Sequence, residues 1–253
     1  MKIYGLIGKK LEHSFSPNFF QQKFKHENIK DANYQLYPLQ SIQEFNLLIQ
    51  NNPKLSGLNI TIPYKTDIIH YLDKITSAAK EIGAVNTIKF ESSPKRLRLV
   101  GYNTDYMGFI ESLKPYLKPY HSKALVLGTG GSSKAVQYAL KQLNINFLMV
   151  SRNPIHQNQI DYSMLTKDLV AEYKIIINTT PVGMFPDTDQ KPDIPYSFLT
   201  RKHLLYDLIY NPEKTLFLQE GEKKSCQIKN GLEMLQIQAE YSWKIWNNIN
   251  FES

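Results

Sequence analysis

Cysteine is almost missing from this chain: Cys226 is the only one in 253 residues. A single thiol forms no internal disulfide and no thiolate-rich metal site, which fits a reducing compartment and leaves Cys226 an inert side chain. Uninterrupted apolar runs of bilayer-spanning length are absent too, so no transmembrane segment is expected. The stretch Met1–Gly8 is too short an apolar run for a signal peptide and reads as a first strand ending in glycine, which implies a cytoplasmic location. Internal repeats and low-complexity tracts are absent. The six histidines, at 13, 26, 70, 121, 156 and 203, are dispersed without zinc-like spacing, so no metal site is expected. Acidic residues are outnumbered, 23 Asp and Glu against 30 Lys and Arg, for a net charge of +7. That excess invites a nucleic-acid reading, yet its densest groups, Pro94–Arg98 and Glu222–Lys224, form no recognition helix and no aromatic-interleaved platform. Both read as solvated hairpin or loop charges. The mild positive field would help gather anionic small molecules such as carboxylates and phosphates.

What is present is ample apolar sequence, 42% of residues, in a chain long enough for two domains. Strand and helix signals alternate from the start: strand 3–7, helix 17–27, strand 34–39, helix 42–49, strand 58–62. That rhythm predicts βαβ units and a mostly parallel sheet with helices on its faces. A helical run from Lys65 to Leu72 and another at 77–82 precede strands at 84–88 and 99–102, and a connecting helix is expected over 107–117. Pro115, Pro119 and His121-Ser122 then mark a linker and a domain boundary.

One stretch of the first half carries candidate chemistry. In Gly57-Leu58-Asn59-Ile60-Thr61-Ile62-Pro63-Tyr64-Lys65, the alternation predicts Leu58, Ile60 and Ile62 on a packed face, with Asn59 and Thr61 pointing the other way. Pro63 suits the first turn of a helix, which would set Lys65 beside the carboxyl end of a strand, where open α/β sheets bind ligands. A surface lysine is the alternative.

The second half opens with the apolar strand Lys123–Leu127, which runs into Gly128-Thr129-Gly130-Gly131-Ser132-Ser133, followed by Ala135, Val136, Ala139, Leu140 and Leu143 at helical spacing. Strand, glycine turn and helix form the arrangement a dinucleotide needs: backbone amides approach the pyrophosphate and the helix N-terminus faces its charge. A second strand, 147–150, ends in Ser151-Arg152-Asn153. No carboxylate is there for a ribose 2′-hydroxyl, and the Arg152 guanidinium suits a 2′-phosphate, so NADP is favoured over NAD, an exposed loop arginine being the alternative. Buried strands at 175–177 and 204–208 end in polar or aromatic residues, natural places for cofactor contacts, and Pro186 to Pro195 reads as a loop. A last helix from Gly231 to about Asn248 carries Gln238 near its apolar stripe, either as a satisfied structural amide or as a ligand contact.

Together these stretches resemble the shikimate dehydrogenase family over nearly the whole chain. The resemblance rests on His13-Ser14-Phe15-Ser16-Pro17, Gly57–Lys65, Ala84-Val85-Asn86-Thr87, Asn103-Thr104-Asp105, Asn178–Met184 and Gly231–Ala239, in the family's order. It implies a two-domain α/β fold: 1–105 plus 231–253 as the substrate-binding and catalytic domain, and 106–230 as a Rossmann-like NADP-binding domain with a linker helix. A closable cleft and a monomeric or homodimeric enzyme are implied as well. Lys65 and Asp105 would be the catalytic pair. Ser14, Ser16, Thr61, Asn86, Tyr210 and Gln238 would contact substrate, while Gly128, Thr129, Gly130, Gly131, Ser132, Ser151, Arg152, Thr179, Leu208 and Gly231 would bind the cofactor. Lys10 and Phe20-Gln21 depart from the family pattern outside the expected chemistry, and in the glycine loop Ser132, a tolerable small residue, stands where alanine is usual. The basic residue often found a few positions beyond the phosphate arginine is also missing, His156 being the nearest substitute.

The implied reaction is the NADP-dependent reversible reduction of 3-dehydroshikimate to shikimate, on the chorismate route to aromatic amino acids, with small-molecule ligands and no nucleic-acid or membrane partner. Lys65 would move the proton and Asp105 would orient it. A quinate/shikimate enzyme with NAD or dual cofactor use is the neighbouring alternative, and a catalytically silent shikimate- or nucleotide-binding module is the alternative from another class.

Overall fold

The computed structural model describes residues 1–12, 14–92 and 97–249, so His13 and residues 94–96 of the expected charged tip at 94–98 lie outside the described residues, while Leu97 and Arg98 stand on a strand. The chain divides into two compact units, Met1–Thr104 with Gln238–Ser253, and Asp105–Ile237. No helix among the described residues is long and apolar enough to cross a membrane.

The first unit contains β1 (Lys2–Gly8), α1 (Ser16–His26), β2 (Ala32–Pro38), α2 (Phe45–Asn51), β3 (Leu55–Ile60), β4 (Lys74–Ile75), α3 (Ser77–Ile82), β5 (Thr87–Ser92) and β6 (Leu97–Tyr102). Its sheet has the order β2-β1-β3-β5-β6-β4. Only β5 runs against its neighbours, so the sheet is mostly parallel, as the alternating pattern predicts. Local chemistry sets the element ends. Thr76 caps α3 by accepting from the Ala79 amide, and the helix stops at Gly83, whose φ of 68° glycine adopts without penalty.

Alternation along β1 sorts side chains to two faces. Ile7 packs with Leu58, Ile60, Phe45 and Ile88 on one face, whereas Tyr4 joins Phe20, Trp243 and Trp246 on the other. The absence of a side chain at Gly57 leaves the space that the Trp246 indole fills, and that ring donates from Nε1 to the Ile88 carbonyl at 3.0 Å. Each such large side chain, fully buried, stabilises the fold by about 1.5–3 kcal/mol.

The stretch after β3 departs from its sequence reading. The strand stops at Ile60, Ile62 is 70% exposed and no part of the core, and residues 61–66 form turns instead of a helix. A 3-10 helix then covers only Asp67–Tyr71. Tyr64 and Ile68 both reach the core, the Ile68 amide donates to the Tyr64 carbonyl at 3.0 Å, and Tyr64 donates its hydroxyl to the Leu39 carbonyl at 2.7 Å, which anchors the turn. The strand expected at 84–88 begins only at Thr87, because Ala84–Asn86 approach the sheet as irregular backbone.

The second unit contains α4 (Asp105–Leu113), β7 (Lys123–Leu127), α5 (Gly131–Gln142), β8 (Asn146–Val150), β9 (Gln159–Ile160), α6 (Lys167–Glu172), β10 (Ile175–Asn178), β11 (Leu204–Asp207), α7 (Leu216–Lys223) and β12 (Gln227–Lys229). Helix α8 (Leu232–Trp246) begins here, and its residues from Gln238 onward belong to the first unit. The connecting helix is shorter than its pattern predicts, α4 giving way to a 3-10 turn at Lys114–Tyr116 that contains Pro115. Glu222 and Lys223, read from sequence as loop charges, belong to α7. All six strands are parallel in the order β12-β11-β10-β7-β8-β9. Connections leave β7 in opposite directions across the sheet, so β7 and β10 meet at a topological switch point, the Rossmann arrangement. Both faces are covered: Ala124 and Val126 pack with Phe109, Val136 and Leu140, and Leu125 and Leu127 pack with Val170, Phe217 and Leu218. Strands buried on both faces read as unbroken apolar runs, as 123–127 and 175–177 do.

Two buried histidines brace this unit. His121 Nδ1 accepts from the Lys118 amide at 3.1 Å while Nε2 donates to the Lys202 carbonyl at 3.0 Å. His203 repeats the pattern with the Thr200 amide and the Val170 carbonyl. A ring that accepts at one nitrogen is neutral, and burial holds both histidines below their ordinary pKa. A depressed folded-state pKa means that protons bind the unfolded chain first, so this stabilisation is complete above about pH 6.5 and is lost as pH falls below it. The thermal midpoint should therefore drop between pH 7 and 5, and less steeply in His203→Asn; equal slopes in the two proteins would refute the assignment.

Candidate active site

In the first unit the carboxyl ends of β1 and β3 lie side by side, and the chain reverses sheet direction between them. Gly8, at the end of β1, carries no side chain, and the methyl of Thr61 and the side chain of Leu11 occupy the space a β-carbon would need. Thr61 donates its amide to the Ile7 carbonyl at 2.8 Å, and the Ser14 amide donates to the Leu11 carbonyl at 3.0 Å. Ser16 opens α1 one residue before Pro17, a residue suited to a helical first turn, and is buried. Lys65 is half-buried, and its carbonyl accepts from the Val85 amide at 2.8 Å. The lysine's backbone is thereby tied to the segment that carries Asn86.

Behind these residues lies a buried polar network. Asn86 donates from Nδ2 to Thr104 Oγ1 at 2.9 Å and to Gln238 Oε1 at 3.2 Å, and its Oδ1 accepts the Thr104 amide at 2.7 Å. Asn59 Nδ2 donates to Ser242 Oγ at 2.9 Å, Asn59 Oδ1 accepts from the Tyr34 hydroxyl at 2.9 Å, and Ser242 donates to the Gln238 carbonyl at 3.0 Å. Asn59 thus braces α8 against the sheet, although its spacing in sequence says only that it needs a partner. Burial pushes the Tyr34 hydroxyl well above its ordinary range, and a hydrogen bond with Ser16 acts in the opposite direction. Asn86 and Gln238, two residues the sequence nominates for substrate, are therefore in direct contact. Thr87, Thr104 and Ser242 belong to the same network, Thr87 and Thr104 from motif segments and Ser242 from the last helix, although no periodicity assigns them a site role.

In the second unit β7 ends at Leu127 and Gly128 turns the chain with φ of 97°, a left-handed value that a side chain would strain. Gly130 is the N-cap of α5, and a β-carbon at Gly130 or Gly131 would meet nothing within 4 Å, so no protein atom crowds the start of the helix there. Thr179 donates from Oγ1 to the Leu127 carbonyl at 2.6 Å, stitching β10 to β7 at the switch point. A cavity of about 790 Å³ opens over this point. Gly128, Thr129, Gly130, Ser151, Arg152 and Thr179 line it, while Gly131, Ser132, Leu208 and Gly231 lie outside its lining. Sequence reasoning missed Asp161, Tyr162, Lys191 and Asp193, which line it from loops without periodicity. A backbone hydrogen bond from Ser163 holds the Asp161 carboxyl below the usual range, and burial raises the Tyr162 hydroxyl against the pull of Arg152. The open helix terminus, the glycine turn and a guanidinium at the cavity wall together fit a phosphorylated dinucleotide.

Asp105, Leu208 and Tyr210 also belong to the second unit. Asp105 is buried at the first turn of α4, where a carboxylate complements the helix dipole. Leu208 and Tyr210 follow β11, and burial raises the Tyr210 hydroxyl. Gly231 abuts the Leu208 carbonyl so closely that no β-carbon would fit. Its value is close backbone approach within this unit. Cys226 donates to the Thr200 carbonyl, and burial lifts its pKa to about 11, which keeps it a thiol.

A Rossmann unit with a phosphate-ready glycine turn, joined to a second α/β unit whose strand ends carry polar side chains, defines the dinucleotide-binding class of α/β proteins. Residues 6–88 match the family model of the shikimate dehydrogenase substrate binding domain, and a shikimate dehydrogenase (NADP(+)) of Methanococcus aeolicus is 39% identical over 98% of this chain and 92% of its own length. The chain belongs to the shikimate dehydrogenase family. Among solved structures, a chorismate mutase/shikimate 5-dehydrogenase fusion protein from Clostridium acetobutylicum is 35% identical and superposes with a TM-score of 0.87, covering 100% of this chain and 93% of that one. Shikimate 5-dehydrogenase from Thermus thermophilus, solved with NADP(H) and shikimate, is 27% identical with a TM-score of 0.82, covering 100% of this chain and 95% of that one.

Proposed function

We propose that this protein is an NADP-dependent oxidoreductase that reversibly reduces 3-dehydroshikimate to shikimate in the cytoplasm, on the chorismate route to aromatic amino acids. Kinship with an enzyme of that name along almost the full length carries the reading. The first unit is assigned the acid, and the second the nucleotide, in the cavity between Gly128 and Arg152. Ser14 and Ser16 donate hydroxyl hydrogens to the substrate carboxylate. Thr61, Asn86, Tyr210 and Gln238 bind ring hydroxyls, and the contact between Asn86 and Gln238 presets two of these groups. A buried polar group already held by its neighbours loses little freedom when the ligand arrives.

Bound NADPH supplies the hydride. When the carbonyl carbon is reduced its oxygen becomes an alkoxide, and Lys65 delivers a proton to that oxygen; in the reverse direction the neutral amine takes the hydroxyl proton back. Asp105 is assigned the role of orienting the lysine. The turn anchored by Tyr64 and by the Val85 amide supports this role, because it fixes the backbone from which Lys65 extends.

Purified protein given shikimate or quinate with NADP+ or NAD+ should turn over shikimate with NADP+ fastest. A quinate preference would move the protein to the neighbouring specificity, and absence of turnover with all four combinations would leave only a binding module.

A further inference from the structure

A buried carboxylate in the second unit has no part in the chemistry above. Asp207 closes β11 and is fully buried. Its Oδ1 accepts from Asn178 Nδ2 at 3.0 Å and from the Ile209 amide at 3.1 Å, and its Oδ2 accepts from Thr215 Oγ1 at 2.6 Å. All three partners are donors without charge. A buried carboxylate held in this way keeps a desolvation penalty that a neutral side chain would avoid, and burial lifts its pKa to about 6. Packing alone gives no reason for an acid at this position.

The partners show where the carboxylate acts. Asn178, whose amide nitrogen is turned to Asp207, offers its Oδ1 to the Thr180 amide at 3.0 Å and to Thr180 Oγ1 at 2.7 Å. Thr180 Oγ1 in turn accepts from the Val182 amide at 3.3 Å. Thr179, Thr180, Pro181 and Val182 form one wall of the nucleotide cavity. On the other side, the Ile209 amide pins the start of the loop after β11, whose Leu208 amide donates to the Asn178 carbonyl at 3.0 Å. The ends of β10 and β11 therefore share one acceptor. The amide nitrogen of Asn178 also donates to the Val182 carbonyl at 3.4 Å, so the carboxylate and the loop together fix which face of Asn178 meets Thr180, and Asp207 supplies the anchor outside the loop.

We infer that Asp207 is a positioning residue for the nucleotide: through Asn178 it holds the loop 179–182 in the shape that receives the cofactor. The inference rests on reading that cavity as the NADP site. Asp207→Leu keeps roughly the size but offers the Asn178 amide nitrogen and the Ile209 amide no acceptor, so Asn178 loses its tether to the end of β11. Thr215→Val is the control, since it removes a donor to Oδ2 and the cap of α7 while leaving both bonds to Oδ1.

NADP+ titrated calorimetrically into the full chain should bind Asp207→Leu about tenfold more weakly than the unsubstituted protein, the scale expected when a binding wall is displaced by a fraction of an ångström. In turnover the loss should fall on KM for NADPH with kcat retained. Thr215→Val should lower the thermal midpoint yet bind NADP+ within about twofold of the parent. Asn178→Ser, which cuts the same link from the other side, should weaken binding as Asp207→Leu does and serves if that variant fails to fold. Normal affinity in either link variant, or an equal loss in Thr215→Val, would overturn the inference alone. No binding of NADP+ by the unsubstituted chain would sink the NADP reading and the inference with it.

Discussion

Replacing Lys65 by alanine is expected to lower kcat on the order of 10³-fold, within the 10²–10⁴ that a positioned proton-transfer group contributes, while shikimate still binds. The prediction separates two roles that one ammonium can play. As a fixed charge, Lys65 would stabilise the developing alkoxide; as an acid and base, it must also give up a proton and recover it. Arginine keeps the charge but holds its proton at every accessible pH, and its planar fork does not reproduce a compact ammonium. Lys65→Arg should therefore be nearly as slow as Lys65→Ala if the lysine transfers the proton, and much faster if it acts only as a charge. Shikimate affinity, measured by calorimetry in the absence of nucleotide, should change by less than about tenfold in both variants, because transition-state interactions are removed and ground-state contacts remain. Unchanged turnover in Lys65→Ala would refute the assignment of Lys65 as the proton-transfer group.

The residues that carry this proposal were legible in sequence to different degrees, and the differences have physical causes. Strand, glycine turn and helix at 123–142 could be read directly, because each part is a local pattern: an apolar run, small residues, then a period of 3.6. The turn that presents Lys65 could not. Pro63 is compatible with a helical first turn, and the turn followed by a short 3-10 helix is held by a contact of Tyr64 with the Leu39 carbonyl, 25 residues away, which no local pattern carries. Long-range polar contacts are harder still. Gln238 lies 152 residues from Asn86 and Ser242 lies 183 residues from Asn59, so no spacing rule links them, and sequence could say only that a buried amide needs partners. The wall of the nucleotide cavity built from Asp161, Tyr162, Lys191 and Asp193 is similar, since loops carry no hydrophobic period and their residues converge only once the strands are in register.

Those loop residues bear on the second large effect, the choice of nucleotide. Arg152 is exposed at the cavity wall, and the same lining holds Lys191 together with two carboxylates, Asp161 and Asp193, so the cavity is not uniformly positive. Lys191 also serves Glu220, at 3.2 Å, which already pairs with Lys223 at 2.9 Å. A 2′-phosphate therefore depends mainly on Arg152, whose fork can meet two phosphate oxygens at once. A charge-assisted hydrogen bond is worth about 1.5–3 kcal/mol, and 1.4 kcal/mol is tenfold in affinity. Solvent exposure reduces that figure to about 1–2 kcal/mol, so Arg152→Gln should raise KM for NADPH by roughly 5- to 30-fold. KM for NADH, which lacks the phosphate, should change by less than about threefold. The preference for NADPH over NADH should also weaken with added salt in the parent protein and be nearly insensitive to salt in the variant, because exposed charge pairs are screened. Equal losses for both nucleotides in Arg152→Gln would show that the arginine supports the loop and does not read the phosphate, and the second cation, Lys191, would then be the group to replace.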